Sequence, residues 1–496
     1  MRNFLTMRRL FFIMAMIPFL SLAQESINLQ EARQMALEHN RQLKIDQLDN
    51  QGAALQTRSA FTNYLPRFDA EGAYQRRNKP YKLFDSDKFL PLIPYQGIDS
   101  ETGSFNPAIM QDPELAPEFL VFNPLTGEPV TDEEGNPVFQ QYAWLPKEKG
   151  EIGQKNNYQF GITLSQPLFM GGKIRSGHRI AQKAEKISEI NKDLSISQVV
   201  FRTDELFWQV VALEEKLELS IAYLEMLDKL VQDLENLFEE GIVTRNQVLQ
   251  AQVKYNEVEL LKVKAENGLH LSRMALNQML GQPLTREFEL DENFEADMLL
   301  LDEENIAETA MSQRPELQML NQSVSVAAEM IKVKRADMMP SMGLKAGYSY
   351  SNPNPYNGFK DEFGGDYSIG VGISIPIYHF GDKRREVAQA RIEKEKMQLK
   401  KDDTREMIEL QVNQSILDFN EAMEKTKLTH LSLKQAKENL DVTNNLFREG
   451  RATTRDVLEA QAHWQEAQAA YIEAKASEKL AYSKLQKNLG NIYTSH

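Results

Sequence analysis

The sequence predicts a mainly α-helical chain with a smaller β component: one module written twice, each copy with long antiparallel coiled-coil helices and two strands. Three observations predict it. A shift of 209 positions aligns two blocks without a gap, two stretches of more than sixty residues contain no Gly or Pro, and four segments of about ten residues alternate apolar with small or polar side chains. Self-similarity at a fixed offset marks a repeated structural unit.

The duplication is read directly. Leu237-Phe238-Glu239-Glu240-Gly241 meets Leu446-Phe447-Arg448-Glu449-Gly450, and Val248-Leu249-Gln250-Ala251-Gln252 meets Val457-Leu458-Glu459-Ala460-Gln461. The match runs on to Leu280-Gly281 against Leu489-Gly490, about a third identical over 45 positions. The same shift pairs Tyr158 with Tyr367 and Pro167 with Pro376. Upstream the offset becomes 274, so that Pro66 meets Pro340 and Tyr74 meets Tyr348. The difference of 65 residues is an insertion in the first copy that holds ten of the 19 prolines. Its Pro, Gly and Asp content predicts a long irregular loop.

The elements follow in order. Residues 1–23 read as a secretory signal, with Arg2, Arg8 and Arg9 before an apolar run from Leu10 to Leu20 and a Ser21-Leu22-Ala23 cleavage site. The first repeat, 24–281, is expected to run as a helix over 28–63, a strand over 67–76, the Pro-rich loop 77–156, a strand over 157–166, a long helix over 172–240 and a return helix over 245–280. A linker over 282–304 leads to the second repeat, 305–490. This has helices over 305–338, a strand over 341–351, a loop over 352–365, a strand over 366–375, a long helix over 382–449 and a return helix over 454–489, before a tail over 491–496.

In the strands, Tyr158, Phe160, Ile162 and Leu164 alternate with Gln159, Gly161, Thr163 and Ser165, and Tyr367, Ile369, Val371 and Ile373 alternate with Ser368, Gly370, Gly372 and Ser374. Period two with one apolar face marks a half-buried strand. The length suits a tilted transmembrane strand, and a soluble sandwich shows the same alternation. At 1.5 Å per residue, helices the length of the Gly- and Pro-free stretches extend on the order of 100 Å. Phe419, Leu433, Leu440 and Phe447 lie on a sevenfold grid with small residues between them, the pattern of a coiled-coil seam. Thr244 with Gln247, and Thr453 with Asp456, have capping-box spacing at the starts of the return helices.

Composition excludes several functions. Lys and Arg number 57 against 72 Asp and Glu, a net charge of −15, which disfavours nucleic-acid binding through phosphate neutralisation. Without cysteine there is no thiolate metal site or cysteine nucleophile, and the seven histidines are scattered without HExxH spacing. No cofactor, metal or catalytic constellation is expected. A periplasmic coiled-coil adaptor, which also carries long helical hairpins, is the competing reading, but the hairpin and strand pair occur here twice.

Four strands do not close a membrane barrel, and lipid tolerates no open sheet edge. If the strands lie in a membrane, several chains must share one barrel; three would supply twelve strands. Together, the duplicated module, the strand exit Gln166-Pro167-Leu168-Phe169-Met170-Gly171-Gly172 and the turns Gly241-Ile242-Val243-Thr244 and Gly450-Arg451-Ala452-Thr453-Thr454-Arg455-Asp456 closely resemble the TolC family of outer-membrane efflux and secretion channels. The resemblance implies a homotrimer with a 12-stranded β-barrel in outer-membrane lipid, above an α-helical periplasmic tunnel. It implies a periplasmic membrane-fusion adaptor and an inner-membrane pump of RND, ABC or MFS type as partners, and no catalysis. It also implies a constriction of the periplasmic mouth by carboxylates, here Asp456 and Glu459.

A ring of such carboxylates attracts cations and raises its own pKa values by repulsion. The family's Arg–Asp lock between the turns has Ala452 and Gln247 at its positions here, which leaves Arg451 and Arg455 as the candidate substitutes. Gly241, Thr244, Val248, Leu249, Gly450, Thr453, Val457 and Leu458 are the candidates for the tip turns and adaptor docking. The apolar strand residues Tyr158, Phe160, Ile162, Leu164, Tyr367, Ile369, Val371 and Ile373 are the candidates for facing lipid, and Asp69, Glu71 and Lys345 for the lumen.

Overall fold

A computed structural model of the chain describes residues 26–79, 81–103, 105–152, 154–291 and 306–491. The expected signal segment, most of the linker and the tail from residue 492 lie outside the described residues. In chain order the elements are β1 (Ser26–Asn28), α1 (Leu29–His39), α2 (Arg41–Thr62), β2 (Arg67–Arg76), β3 (Tyr81–Lys82), β4 (Lys88–Pro91), α3 (Ala116–Phe119), β5 (Tyr142–Leu145), β6 (Glu151–Ile152), β7 (Asn156–Phe169), α4 (Lys173–Glu239), α5 (Arg245–Met279), β8 (Glu289–Asp291), α6 (Ile306–Gln313), α7 (Pro315–Ala336), β9 (Ser341–Asn352), β10 (Gly364–Ser374), α8 (Asp382–Arg448) and α9 (Thr454–Leu489). They fall into a helical unit and a strand-rich unit.

In the helical unit, α4 and α8 are each 67 residues, about 100 Å at the standard helical rise. Continuous helix of that length is possible because neither sequence contains Gly or Pro beyond its fifth residue. α4 packs against α5, α7 and α9, and α8 packs against α7 and α9. The hydrophobic core is written twice, like the sequence. Ala36, Leu43, Val199, Leu276 and Leu280 lie in one buried cluster, and their repeat equivalents Ala310, Leu317, Ile408, Leu485 and Leu489 lie in a second. Equivalent apolar positions have thus kept equivalent packing. No described helix is long and apolar enough to cross a membrane.

One expected helix is broken, and the second repeat is divided at the matching place. The helix expected over 28–63 stops at Asn40, which is extended at φ −63° and ψ 126°. Its side-chain oxygen accepts from Gln42 N–H at 2.8 Å and Leu43 N–H at 3.3 Å, capping α2. The helices expected over 305–338 are α6 and α7, divided at Arg314, also extended at ψ 120°, because Pro315 disfavours helical backbone in the residue before it. Pro315 then serves as the first residue of α7.

In the strand-rich unit the sheet order is β10-β9-β7-β2, antiparallel throughout, so among the described residues β10 and β2 each leave one edge without a partner strand. The inserted segment is not the irregular loop that its composition predicts. β3 pairs with β6 and β4 with β5. Ile109, Ala116, Phe119, Leu120 and Phe139 form a separate small core, with Phe105 and Phe139 rings edge to face at 5.3 Å. Five aromatic and aliphatic side chains dispersed among prolines collect into that core once the short strands pair, a long-range effect that local composition does not register.

Candidate functional site

The sheet has two chemically distinct faces, fixed by its register. Tyr367 pairs with Tyr348, which pairs with Ile162, which pairs with Ala70; Val371 pairs with Leu344; and Phe68 pairs with Leu164. Directly paired residues share a face. All eight sequence candidates, Tyr158, Phe160, Ile162, Leu164, Tyr367, Ile369, Val371 and Ile373, therefore lie on one face with Phe68, Tyr74, Leu344, Ala346 and Tyr348. The opposite face carries Gly161, Thr163, Gly343, Gly347 and Gly370, with Asp69 opposite Thr163, Glu71 opposite Gly161 and Lys345 between Ser165 and Gly370.

On the apolar face the rings concentrate near the loop end. Tyr74 and Tyr158 are 5.0 Å apart, Tyr158 and Phe363 6.1 Å, and Phe363 and Tyr350 5.1 Å. Aromatic side chains gathered toward one end of a strand are typical of membrane strands where hydrocarbon gives way to headgroups.

The two helix turns are copies of one geometry. Gly241 and Gly450 adopt left-handed backbone at φ 75° and 72°, a conformation that glycine reaches without steric cost. Gly241 N–H donates to Phe238 O at 2.9 Å and Ile242 N–H to Leu237 O at 2.9 Å. Gly450 N–H donates to Phe447 O at 2.9 Å and Arg451 N–H to Leu446 O at 2.8 Å. Thr244 and Thr453 then cap α5 and α9. Thr244 N–H donates to Gln247 Oε1 at 2.7 Å, and Thr453 N–H to Asp456 Oδ2 at 2.7 Å.

Beneath the turns is a core of Leu230, Leu234, Val248, Ala251 and Val457, with Leu458 packed against it. Val248 and Val457 are buried in this core, so they are not available to a docking partner. Burial of both follows from their place one turn into the return helix, facing α4. The exposed apolar side chains at the first turn include Phe238, Ile242 and Leu249, and the sequence reading did not single out Phe238 or Ile242. A cleft of about 840 Å³ lies between the ends of α4 and α8, lined by Leu237, Ile242, Phe447, Thr453, Thr454 and Gln461 among others. Thr454 Oγ1 and Gln461 Oε1 are buried with no hydrogen-bond partner among the described residues.

Asp456 and Glu459 are both exposed on the first turns of α9. The Thr453 hydroxyl and backbone N–H hold the Asp456 carboxyl below its ordinary range, and the nearby charge of Arg455 acts in the same direction. Glu459 lies 3.8 Å from His463 Nε2, one helical turn on, a partner that i, i+4 spacing makes legible. Arg451 pairs with Glu449 at 3.4 Å, with both side chains exposed. Among the described residues, no group of three or more His, Asp or Glu is arranged to hold a metal.

Comparison with known proteins agrees with this architecture. The family model described as outer membrane efflux protein matches residues 140–282 and 306–491. Over 237 residues the chain is 28% identical to outer membrane protein TolC of Vibrio cholerae, covering 46% of this chain and 53% of that one. Over 251 residues it is 24% identical to the alkaline protease secretion protein AprF of Pseudomonas aeruginosa, covering 50% and 52%. The chain thus spans about half the length of these relatives. The fold is shared with the Campylobacter jejuni CmeC outer membrane channel, with a TM-score of 0.70 over 93% of this chain and 85% of that one at 18% identity. Long helices, a two-faced sheet and the family match lead to one conclusion: the chain belongs to the outer membrane efflux protein family.

Proposed function

We propose that the chain is one of three identical subunits of a passive exit duct in the outer membrane, fed by an inner-membrane pump and gated at the helix turns. The observation that carries this reading is the sheet: four long antiparallel strands with one apolar face, one small or polar face, and two unpaired edges. Backbone groups on an open edge cost several kcal/mol each in lipid, so copies joined edge to edge are far more stable there than one alone. Three copies of a four-stranded sheet make a twelve-stranded barrel. Tyr158, Phe160, Ile162, Leu164, Tyr367, Ile369, Val371 and Ile373 then face lipid, while Asp69, Glu71 and Lys345 line the lumen.

The long helices lie in the periplasm, where a membrane-fusion adaptor joins the duct to a pump of RND, ABC or MFS type. Ile242 and Leu249, rather than Val248 and Val457, are the apolar contacts available to that adaptor. At the mouth, Asp456 and Glu459 from three copies bring six carboxylates into one opening, with Arg451 and Arg455 as the nearest cations. Such a ring favours cations and narrows the pore.

The test is conductance in a planar bilayer of the wild type against Asp456→Asn with Glu459→Gln, which removes the charges and keeps hydrogen-bond acceptors in place. The expected result is a severalfold rise in conductance and loss of cation preference. An unchanged current with unchanged selectivity refutes the gate, and a chain that forms no channel at all refutes the duct.

A further inference from the structure

We propose that the small and polar face of the sheet carries a binding site for an anionic molecule with an apolar body, held in a hollow floored by Gly343, Gly370 and Gly372 with Lys345 as its cation. The proposal rests on the duct reading above and deepens it: that face borders the lumen, and Lys345 selects what dwells there.

The hollow comes first. A cleft of about 670 Å³ lies over β9 and β10 beside the end of β7, bounded by Ser165, Lys345 and Gly370 on one side and by Ser341 and Ser374 on the other. Ser165 pairs with Lys345, Lys345 with Gly370, and Ser341 with Ser374. Both bounding rows belong to the face opposite Leu344 and Val371, so the cleft opens on the small and polar side. Pro167 and Met170 give it apolar surface.

Nothing inside the chain demands so open a floor. Gly343, Gly370 and Gly372 lie within β9 and β10, and none of them has left-handed backbone. A Cβ placed on Gly370 or Gly372 meets no atom within 4 Å, and one on Gly343 touches only the Gln166 carbonyl oxygen at 3.6 Å, an ordinary contact. Neither strain nor crowding therefore calls for glycine here, although glycine inside a strand weakens it. Close approach of a ligand is the remaining physical use of such a position. Gly343 is on β9, between β7 and β10, so a strand added at the sheet edge does not fill the space above it.

Charge identifies the ligand. Register layers the charged residues of this face: one row holds Arg67 and Lys345, the next toward the loops holds Asp69, and the one after it holds Glu71 and Asp366. Arg67 is paired with Asp69 at 2.8 Å, whereas Lys345 is exposed and has no hydrogen-bond or ion-pair partner among the described residues. The row of Glu71 and Asp366 lies about 13 Å further along the strands, beyond the Debye length of about 8 Å at physiological salt, so it leaves the lysine charge uncancelled. Among the described residues no Asp or Glu lines the hollow. An unpaired ammonium, the hydroxyls of Ser165, Ser341 and Ser374, and the apolar surface of Pro167 and Met170 together suit a carboxylate, sulfonate or phosphate on an apolar body. The carboxylate rows on the loop side oppose onward passage of such an anion, which lengthens its stay beside Lys345.

The experiment measures block of the single-channel current of the full-length protein in a planar bilayer by naphthalene-1-sulfonate. The comparison probe is 1-naphthylmethylammonium, the same ring system with the opposite charge. Lys345→Gln removes the cation, and Gly372→Val fills the floor with a side chain that suits a strand. The open-channel current of each variant shows that it folds and assembles, and Gly370→Ala replaces Gly372→Val if that variant forms no channel. Loss of one charge-assisted contact is expected to raise the half-blocking concentration of the sulfonate about tenfold in Lys345→Gln. The glycine variant is expected to raise it as well, and the half-blocking concentration of the ammonium does not rise in Lys345→Gln. A sulfonate that blocks wild type and Lys345→Gln equally, or blocks neither, overturns the site. An equal rise for both probes in Lys345→Gln overturns selection by charge, and a rise in Lys345→Gln without one in the glycine variant overturns the hollow as its seat. Wild-type protein that passes no current overturns the duct reading, and this site with it.

Discussion

Replacing Arg33 with Met removes one half of a buried ion pair and keeps most of the aliphatic stem. Arg33 donates from Nε to Asp204 Oδ1 at 2.7 Å and from Nη2 to Oδ2 at 2.6 Å, and the Asp204 side chain is fully buried. The pair ties α1 to the middle of α4, where Leu206, Phe207 and Val210 fill the first core. Arg33→Met leaves a carboxylate in that core with no cation. Breaking a buried pair from one side costs about 3–5 kcal/mol. Two charge-assisted hydrogen bonds at about 1.5–3 kcal/mol each lead to the same range. Arg33→Met with Asp204→Leu replaces both charges with apolar volume and recovers most of the loss, since a buried pair and a well-packed apolar pair are often of similar stability. The assay is denaturant unfolding in detergent at fixed protein concentration, followed by far-ultraviolet circular dichroism. A single variant within about 1 kcal/mol of wild type, or a double variant less stable than the single, refutes the claim that Asp204 depends on Arg33.

Tyr223, on α4 in a cluster with Leu227 and Val258 against which Trp464 packs, is buried, its hydroxyl has no hydrogen-bond partner among the described residues, and burial with the nearby charges of Glu257 and Glu466 pushes its pKa up to about 12. Tyr223→Phe is therefore expected to hold or raise the unfolding midpoint, by up to about 1–2 kcal/mol; a loss of that size instead would reveal a partner for the hydroxyl. Glu386 accepts from Lys383 and Lys334, which brings its pKa down to about 2 from the ordinary 4.5. Its folded value lies below the unfolded one, so its contribution is complete above about pH 4.5 and fades as pH falls toward 2. The difference in melting temperature between wild type and Glu386→Gln should accordingly shrink over that window, and a difference independent of pH from 7 to 2 would contradict the assignment.

What the sequence made legible was whatever repeats at short range. Period-two alternation identified the apolar face of β7 and β10, the glycines and threonines of the turns marked where α4 and α8 reverse, and the 209-residue shift tied the copies together. What escaped depended on contacts far apart in sequence. The small core of Ile109, Phe119, Leu120 and Phe139 exists only once β4 has met β5 across more than fifty residues. The break at Asn40 lacked the proline that marks Arg314-Pro315, and rested on one side chain turning back to cap the next helix. Val248 and Val457 were candidates for docking because they follow the turns, but a helix start presents one face to its own hairpin, and that face holds these two residues.

The comparison of the two turns separates what the fold requires from what is left free for function. A capping box needs an acceptor at the third helical position to receive the backbone N–H of the capping threonine. Gln247 and Asp456 both meet that need, at the same 2.7 Å from Thr244 N–H and Thr453 N–H. The hydrogen bond therefore does not determine whether this position is charged; the first copy carries a neutral amide there and the second a carboxylate. Because the two turns otherwise share their glycine geometry and their backbone-to-backbone hydrogen bonds, the charge at this position distinguishes them without altering the backbone. In a ring of three chains the second turns alone would then carry this charge, so that six hairpins of one shape would present only three such carboxylates at the opening. The duplication gives two equivalent turns, and the tolerance of the cap for either acceptor lets one of them carry a charge that the helix it starts does not require.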